Sequence, residues 1–134
     1  MAAETTEFEL VSPEKLLMSK AAEMVVVPGT EGDFGALPRH APMMTAVRPG
    51  VIDVYQGGKV EDRIFVAGGF AEVNETRITV LAEEAIPLNE LTMETAQNRL
   101  SAAEKELAGA ASDYARKDAE RHVAIARAMV AALG

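Results

Sequence analysis

The side chains best suited to binding or proton transfer fall close together, between Glu31 and His40. Glu31, Asp33, Arg39 and His40 lie in a short stretch that is rich in glycine and proline. A histidine beside carboxylates can serve as a general base, but catalysis also needs a nucleophile and a group that orients the base. The surrounding sequence offers no serine or cysteine in a nucleophile motif. We therefore expect this polar cluster to contact another surface, and we expect no catalytic residue.

A phosphate-binding loop is the second chemistry to consider, because the run from Gly29 to Gly35 reads Gly-Thr-Glu-Gly-Asp-Phe-Gly. Phosphate loops place a lysine and a hydroxyl residue directly after the last glycine. Here Ala36 follows, and the carboxylates of Glu31 and Asp33 would repel a phosphate. The sequence therefore excludes phosphate binding by this loop.

Composition excludes several further classes. The chain has 134 residues, no cysteine, two histidines and a net charge of −8. Disulfides, thiolate metal sites and a histidine-rich metal site are therefore not expected, and an acidic chain is a poor partner for nucleic acid. No apolar run approaches the length of a membrane span, and the N-terminus has no signal-peptide pattern. We predict a globular protein without cofactor, metal or direct membrane insertion.

The elements that position these residues change in kind near residue 87. Before it, short β-rich runs alternate with turns; Gly57-Gly58 predicts a hairpin, and Gly68-Gly69 predicts a bulge or a tight crossing inside an apolar strand. Residues 25–50 contain so many glycines and prolines that we predict one shaped loop between two strands. The pair Ile86-Pro87 is the expected hinge.

After residue 87 the sequence predicts two helices. Small and apolar residues recur at helical spacing, Gly109 interrupts the first helix, and Ser112 is the expected N-cap of the second. The predicted fold is α+β: an all-β flattened sandwich or barrel of about ten short strands over residues 1–86, then an antiparallel helix-turn-helix hairpin over residues 88–134. The predicted contact positions between the helices are Met93, Ala96, Leu100, Ala103, Leu107 and Ala110 in the first and Ala119, Val123, Ala126, Val130 and Leu133 in the second.

Three segments resemble one known family. From Glu31 to Gly50 the chain contains every fixed residue of the pattern E-G-x-x-G-x-x-P-x-H-A-P-x-x-T-x-x-x-P-G, which is typical of epsilon subunits of F-type ATP synthases. Phe65–Val73 is similar to the family's apolar–Gly–Gly–apolar–x–Glu–Val segment, and Ile78–Ala82 to the strand that closes its N-terminal domain. The similarity runs from about Phe8 to Ala85 and more loosely to the C-terminus.

This resemblance implies a function and a set of partners. Members of the family are non-catalytic central-stalk subunits of the proton-translocating ATP synthase, which couple rotation of the c-ring through gamma to ATP synthesis. The expected location is the cytoplasmic face of the bacterial inner membrane, as a peripheral part of the complex. The C-terminal helices are expected to regulate ATP hydrolysis by contacting the alpha and beta subunits. The residues that match rotor-interface positions are Ser12, Glu31, Asp33 and His40, and the candidate regulatory contacts are Arg116, Lys117, Arg121 and Arg127. A solvated basic face remains the alternative for these four.

Some bacterial members bind ATP through a motif I/L-D-x-x-R-A at the start of the first C-terminal helix. The matching stretch here has Leu91 and Ala96, but Thr92 replaces the aspartate and Thr95 replaces the arginine. Without the guanidinium group, bidentate hydrogen bonding to a phosphate is lost. We therefore expect no ATP binding at this degenerate motif.

Two other functions remain open at the level of sequence. A stand-alone ligand-binding β-sandwich with a helical tail would need a deep apolar pocket with converging polar groups. A rotor subunit would instead present two separate contact surfaces. An enzyme is disfavoured by the scarcity of cysteine, histidine and nucleophile motifs.

Overall fold

The computed structural model describes residues 4–134 of the chain. They form two compact units, one ending at Leu88 and the other running from Asn89 to Gly134. Among the described residues the first unit contains ten strands: β1 (Thr6–Val11), β2 (Leu16–Ala22), β3 (Met24–Gly29), β4 (Gly32–Ala36), β5 (Met43–Val47), β6 (Gly50–Gln56), β7 (Lys59–Val66), β8 (Gly69–Val73), β9 (Arg77–Ala82) and β10 (Ala85–Pro87). A short 3-10 turn (Leu88–Glu90) precedes helices α1 (Met93–Ala108) and α2 (Asp113–Leu133).

The strands pair in the order β10-β7-β6-β3-β5-β8-β9-β1-β2, with β4 added to β3. Strands β3 and β5 are in register only at Gly29 and Val47, so the sheet divides there into a first half (β10, β7, β6, β3, β4) and a second half (β5, β8, β9, β1, β2). One core cluster takes apolar side chains from both halves, as expected when the inner faces of two sheets pack together. The predicted fold class is confirmed.

Alternating burial explains why these residues form strands. In β1 every second residue is buried, and Phe8 and Leu10 are almost inaccessible to solvent. Each fully buried side chain of this kind contributes about 1.5–3 kcal/mol through the hydrophobic effect. The largest strand residues whose side chains are fully buried are Phe8, Phe65, Leu10, Ile52, Ile78, Val25, Val27, Val54, Val66, Val73 and Val80.

Lys20 on β2 forms ion pairs that connect the second half of the sheet to the first half. Its Nζ lies 2.5 Å from Glu61 and 2.7 Å from Asp62, both on β7. The hydrogen bonds that Lys20 donates, to Asp62 first and then to Glu61, raise the pKa of Lys20 above its ordinary value. The ion pairs thus connect β2, the last strand in the order, to the opposite half of the sheet.

The prediction of one loop over residues 25–50 was wrong. The segment contains β4, which pairs with β3 from Val25↔Ala36 to Gly29↔Gly32, and β5, which pairs with β8. Glycine normally weakens a strand, which is why the sequence pattern indicated a loop. At Gly29, however, a Cβ would approach the Gly32 carbonyl oxygen within 2.8 Å. The glycines there permit close backbone pairing in a hairpin.

The Gly57-Gly58 hairpin was predicted and is confirmed. Both glycines have positive φ, 65° and 77°, as the tight turn between β6 and β7 requires. The turn between β8 and β9 is held by Asn74, whose side-chain oxygen accepts hydrogen bonds from the backbone N–H groups of Thr76 and Arg77, each at 2.9 Å.

The sequence pattern suggested that Gly68 and Gly69 lie inside one apolar strand, but Gly68 lies between β7 and β8 and Gly69 is the first residue of β8. The two glycines thus lie where the chain passes from β7, in the first half of the sheet, to β8, in the second half. The expected close crossing is nevertheless present: a Cβ on Gly69 would lie 1.8 Å from the carbonyl oxygen of Leu81. Of the two predicted alternatives, the structure therefore shows the tight crossing and not the bulge.

The helix boundaries follow local capping. The Thr92 and Ser112 side chains accept hydrogen bonds from the Thr95 and Ala115 N–H groups and so cap α1 and α2. Gly109 ends α1 as expected. The expected hinge was wrong, because β10 pairs Ile86 with Phe65 and Pro87 with Ile64; Pro87 occupies the end of an edge strand, where a missing N–H is tolerated.

The buried face of the helices is wider than predicted. Ala96 and Ala103 of α1 and Ala119, Val123 and Ala126 of α2 are buried as expected, but α2 also buries Ile125 and Met129. In the described chain, neither helix combines the length and the apolar character needed to cross a membrane.

Candidate functional site

The turn between β3 and β4 carries two of the predicted contact residues. Glu31 is exposed in the turn, and Asp33 follows on β4. The Arg48 guanidinium donates to the Asp33 carboxylate and to the Gly29 carbonyl oxygen, each at 2.5 Å. Arg48 therefore fixes the turn and offsets the charge of Asp33, while both groups stay largely exposed.

His40 lies in a different environment. Its Nδ1 is 2.7 Å from the Ala41 carbonyl oxygen, and its side chain is partly exposed. The preceding residue, Arg39, has a positive φ of 67°; its N–H donates to the Glu75 carbonyl oxygen at 2.8 Å and its guanidinium pairs with Glu4 at 2.7 Å. This part of the chain is thus attached to the turn between β8 and β9.

The predicted polar cluster is divided between two ends of the sandwich. Strand β8 pairs Gly69 with Val47, next to Arg48, and pairs Val73 with Met43 near the opposite turn. Four residue steps along a strand span about 13 Å. Asp33 is bound at the Gly69 end through Arg48, whereas His40 lies at the Val73 end. The prediction that both belong to one compact cluster was therefore wrong. The sequence pattern did not indicate strand β4, which contains Asp33 and separates it from His40.

Ser12 lies at the same end as Asp33. It opens the turn between β1 and β2, where its N–H donates to the Lys15 carbonyl oxygen at 2.9 Å. Val11, just before it, is in register with Leu81, and Ala82 is in register with Gly69. The structure thus brings Ser12 and Asp33 to one end of the sandwich and leaves His40 at the other.

An apolar row on the outer face of the second half was not predicted. Phe70 is in register with Leu81, and Leu81 with Val11. Phe70 is 59% exposed and Leu81 53% exposed, although charged or polar side chains would be expected at outward positions. The full apolar row, across five neighbouring strands, consists of Ala46, Phe70, Leu81, Val11 and Leu16.

Polar residues border the apolar row. The next outward row contains Glu72, Thr79 and Glu9 on β8, β9 and β1, and Arg77 pairs with Glu9 at 3.0 Å. On β5 the same row contains the exposed apolar residue Met44. An exposed apolar patch with a polar margin marks a protein interface more often than a feature of an isolated monomer. The available signal in the sequence was one apolar residue at an outward position of each strand, Phe70 on β8 and Leu81 on β9.

The four basic residues of α2 divide into two pairs. Arg116 pairs with Asp113 at 3.2 Å and with Glu120 at 3.6 Å, and Arg121 pairs with Asp118 at 3.2 Å. Within the described residues, Lys117 and Arg127 are exposed and form no ion pair. The last two are therefore the better candidates for contact with an acidic partner.

The degenerate ATP motif is occupied by a helix cap. The Thr92 hydroxyl accepts the Thr95 N–H at 3.1 Å and donates to the Thr95 hydroxyl at 2.9 Å. Leu91 and Ala96 are buried. The two threonines thus interact with each other and place no cation at the positions where the ATP-binding members of the resembling family carry aspartate and arginine.

We expect the isolated protein to show no saturable ATP binding up to about millimolar concentration, which corresponds to a binding free energy weaker than about −4 kcal/mol. Calorimetric titration with Mg-ATP measures this directly. The double variant Thr92→Asp/Thr95→Arg is the comparison, because it restores the missing motif residues and should bind more tightly. Tight binding by the unchanged protein would show that another group replaces the arginine.

Comparisons with known proteins agree with the fold and extend over the whole chain. Residues 5–88 match the family model of the ATP synthase delta/epsilon chain, beta-sandwich domain. The chain is 63% identical to the ATP synthase epsilon chain of Paramagnetospirillum magneticum, covering 98% of both sequences. It is 62% identical to that of Rhodospirillum rubrum, covering 97% of both.

Solved structures give the same result. The chain superimposes on a subunit of the Euglena gracilis mitochondrial ATP synthase, an OSCP/F1/c-ring assembly, with a TM-score of 0.82 and 26% identity, covering 100% of this chain and 84% of that one. A chain of the Tetrahymena thermophila central stalk/c-ring has the same fold, with a TM-score of 0.68 and 11% identity over the full length of both. The β-sandwich model, the full-length relatives and the shared fold show that this chain belongs to the ATP synthase epsilon chain family.

Proposed function

We propose that this chain is a non-catalytic rotor subunit that connects gamma to the c-ring, on the cytoplasmic face of the bacterial inner membrane. Its work is mechanical: it transmits rotation driven by protons to the catalytic subunits without forming a bond itself. The observation that carries the proposal is the apolar row, because a row of exposed apolar side chains on a rigid sheet is suited to a permanent partner.

We assign the apolar row to gamma and the turn with Glu31 and Asp33 to the c-ring. The row and the turn are different surfaces of the same sandwich, which is what a subunit held between two partners requires. Ser12 follows Val11 of the row, and His40 lies at the other end of the same half of the sheet. Both positions therefore suit the margin of the gamma contact.

The stand-alone ligand-binding module is the weaker alternative. The depressions that the structure describes on the sandwich are open surface hollows, with volumes of about 300, 340 and 310 Å³. One of them is lined by Glu31 and Asp33 together with Phe34, Met43 and Met44. Since the relatives align over nearly the full chain, the helical tail is a family feature and not an incidental addition.

Single cysteines test the two assignments, because the chain has no cysteine of its own. In the assembled ATP synthase we expect Asp33→Cys to cross-link to the c-ring and His40→Cys to cross-link to gamma. Lys59→Cys is the matched control: Lys59 is exposed beside the Gly57-Gly58 turn, in the first half of the sheet, and should label neither partner. Normal assembly without either cross-link would contradict the proposed arrangement.

We further propose that the helices regulate ATP hydrolysis by contacting the alpha and beta subunits. Lys117 and Arg127 support this role because both are exposed on α2 and unpaired among the described residues. The measurement is the rate of ATP hydrolysis by the assembled enzyme carrying Lys117→Glu and Arg127→Glu. A rate equal to that of the unchanged enzyme would remove these two residues from the regulatory surface.

A further inference from the structure

Three potential metal ligands meet where α1 contacts α2. His122 on α2 lies 2.9 Å, through Nδ1, from the Glu106 carboxylate on α1 and 3.9 Å, through Nε2, from the Asp118 carboxylate. One ligand atom from each of the three residues lies within 4.8 Å of the others. The count of only two histidines argued against a histidine-rich site, but it did not exclude a mixed site of this kind.

The spacing and surroundings allow the ligands to close around an ion. Asp118 and His122 are four residues apart and share one face of α2. Two ligands of a tetrahedral zinc ion, with bonds of about 2.0–2.2 Å, lie roughly 3.4 Å apart. The three side chains are 36–44% exposed and can rotate toward one another. A neighbouring hollow of about 270 Å³, lined in part by Ala102 and Ala103, leaves room for an ion and its water.

The charges favour a divalent transition metal. Glu106 and Asp118 supply two negative charges and His122 a neutral nitrogen, a set that suits Zn²⁺; Mg²⁺ and Ca²⁺ prefer oxygen ligands. The positive charge of Arg121 opposes the binding of a cation, because its Nη2 lies 3.2 Å from both His122 Nε2 and Asp118. Arg99 also borders the hollow. Because the Arg121 side chain is about half exposed, it can move aside when an ion binds.

We propose that Glu106, Asp118 and His122 form a Zn²⁺-binding site that links α1 to α2. An ion bound to both helices holds the hairpin closed, since binding to the folded pair and not to the separated helices stabilises the pair by mass action. The site requires only this chain, so it stands or falls independently of the proposed contacts with gamma and the c-ring.

Calorimetric titration of the tag-free protein with zinc chloride tests the site. We expect one ion per chain, with a dissociation constant on the order of 10 µM, and no saturable response to magnesium chloride at the same concentrations. His122→Gln and Glu106→Gln should each weaken binding by at least about tenfold. Arg121→Gln should tighten it, because the competing cation is removed.

Glu104→Gln and His40→Gln are the matched controls. Glu104 is an exposed carboxylate of α1 outside the cluster, and His40 is the other histidine of the chain; both variants should bind Zn²⁺ as the unchanged protein does. The circular dichroism spectrum of each variant tests whether the helices remain folded. Zn²⁺ should raise the midpoint temperature of thermal unfolding only in the variants that still bind it. Absence of saturable binding, or equal binding by folded Glu106→Gln, would overturn the proposal.

Discussion

Phe70→Asp is expected to abolish stable association with gamma while leaving the subunit folded. Phe70 is 59% exposed on the outer face, so a carboxylate there remains in water in the isolated protein. In the complex the same carboxylate would be buried against an apolar partner without a counter-charge, which costs several kcal/mol. We expect the dissociation constant to rise at least about 100-fold, or about 2.7 kcal/mol.

The measurement is rebinding to F1 from which the endogenous epsilon chain has been removed. Leu81→Asp, at the paired position of the apolar row, should have the same effect. Val60→Asp is the control, because Val60 is an exposed apolar residue on β7, in the other half of the sheet. If both row variants rebind as the unchanged protein does, the apolar row is not the gamma surface.

Gly69→Ala is expected to unfold or severely destabilise the sandwich. The added Cβ would lie 1.8 Å from the Leu81 carbonyl oxygen, and the φ of Gly69 is +141°, which L-residues rarely adopt. Backbone strain of this kind costs about 1–3 kcal/mol, and relief of the clash requires β8 and β9 to separate. We expect a loss of at least about 3 kcal/mol in the free energy of unfolding.

Urea unfolding followed by circular dichroism measures that loss. Gly57→Ala provides the comparison, because φ is +65° there but no atom lies within 4 Å of the position that an added Cβ would occupy. An alanine in this left-handed conformation should cost only about 1–2 kcal/mol. Equal losses at the two positions would mean that β8 and β9 adjust without cost and that the close crossing is not required.

Several features were predictable because they depend on neighbouring residues. The Gly57-Gly58 turn requires positive φ at two consecutive positions, which glycine provides without a steric cost. The N-cap Ser112 satisfies a donor three residues away. Strand β1 alternates Phe8 and Leu10 with charged residues, a period of two that indicates a half-buried strand from the sequence alone. In each case the relevant interaction lies within a few residues.

The site was only partly predictable, for a related reason. Residue types suggested that Asp33 and His40 belong to one cluster, and the separation along the chain is short. Asp33 instead contacts Arg48, and the segment of His40 contacts the turn that contains Glu75. Both contacts depend on the pairing of strands that are distant in the sequence. A glycine-rich strand such as β4 gives little signal until its partner is known.

The sequence by itself determined the family, the change from strands to helices, the principal turns and caps, and the loss of the aspartate and arginine of the ATP motif. Only the tertiary structure decided that Phe70, Leu81 and Val11 form one continuous surface, because strand register places residues of β8, β9 and β1 side by side. It also decided that Glu106 meets His122, since packing of α1 on α2 brings together residues of two helices. Local conformational preferences are encoded in short segments, whereas surfaces and sites arise from pairing and packing between segments far apart in the chain.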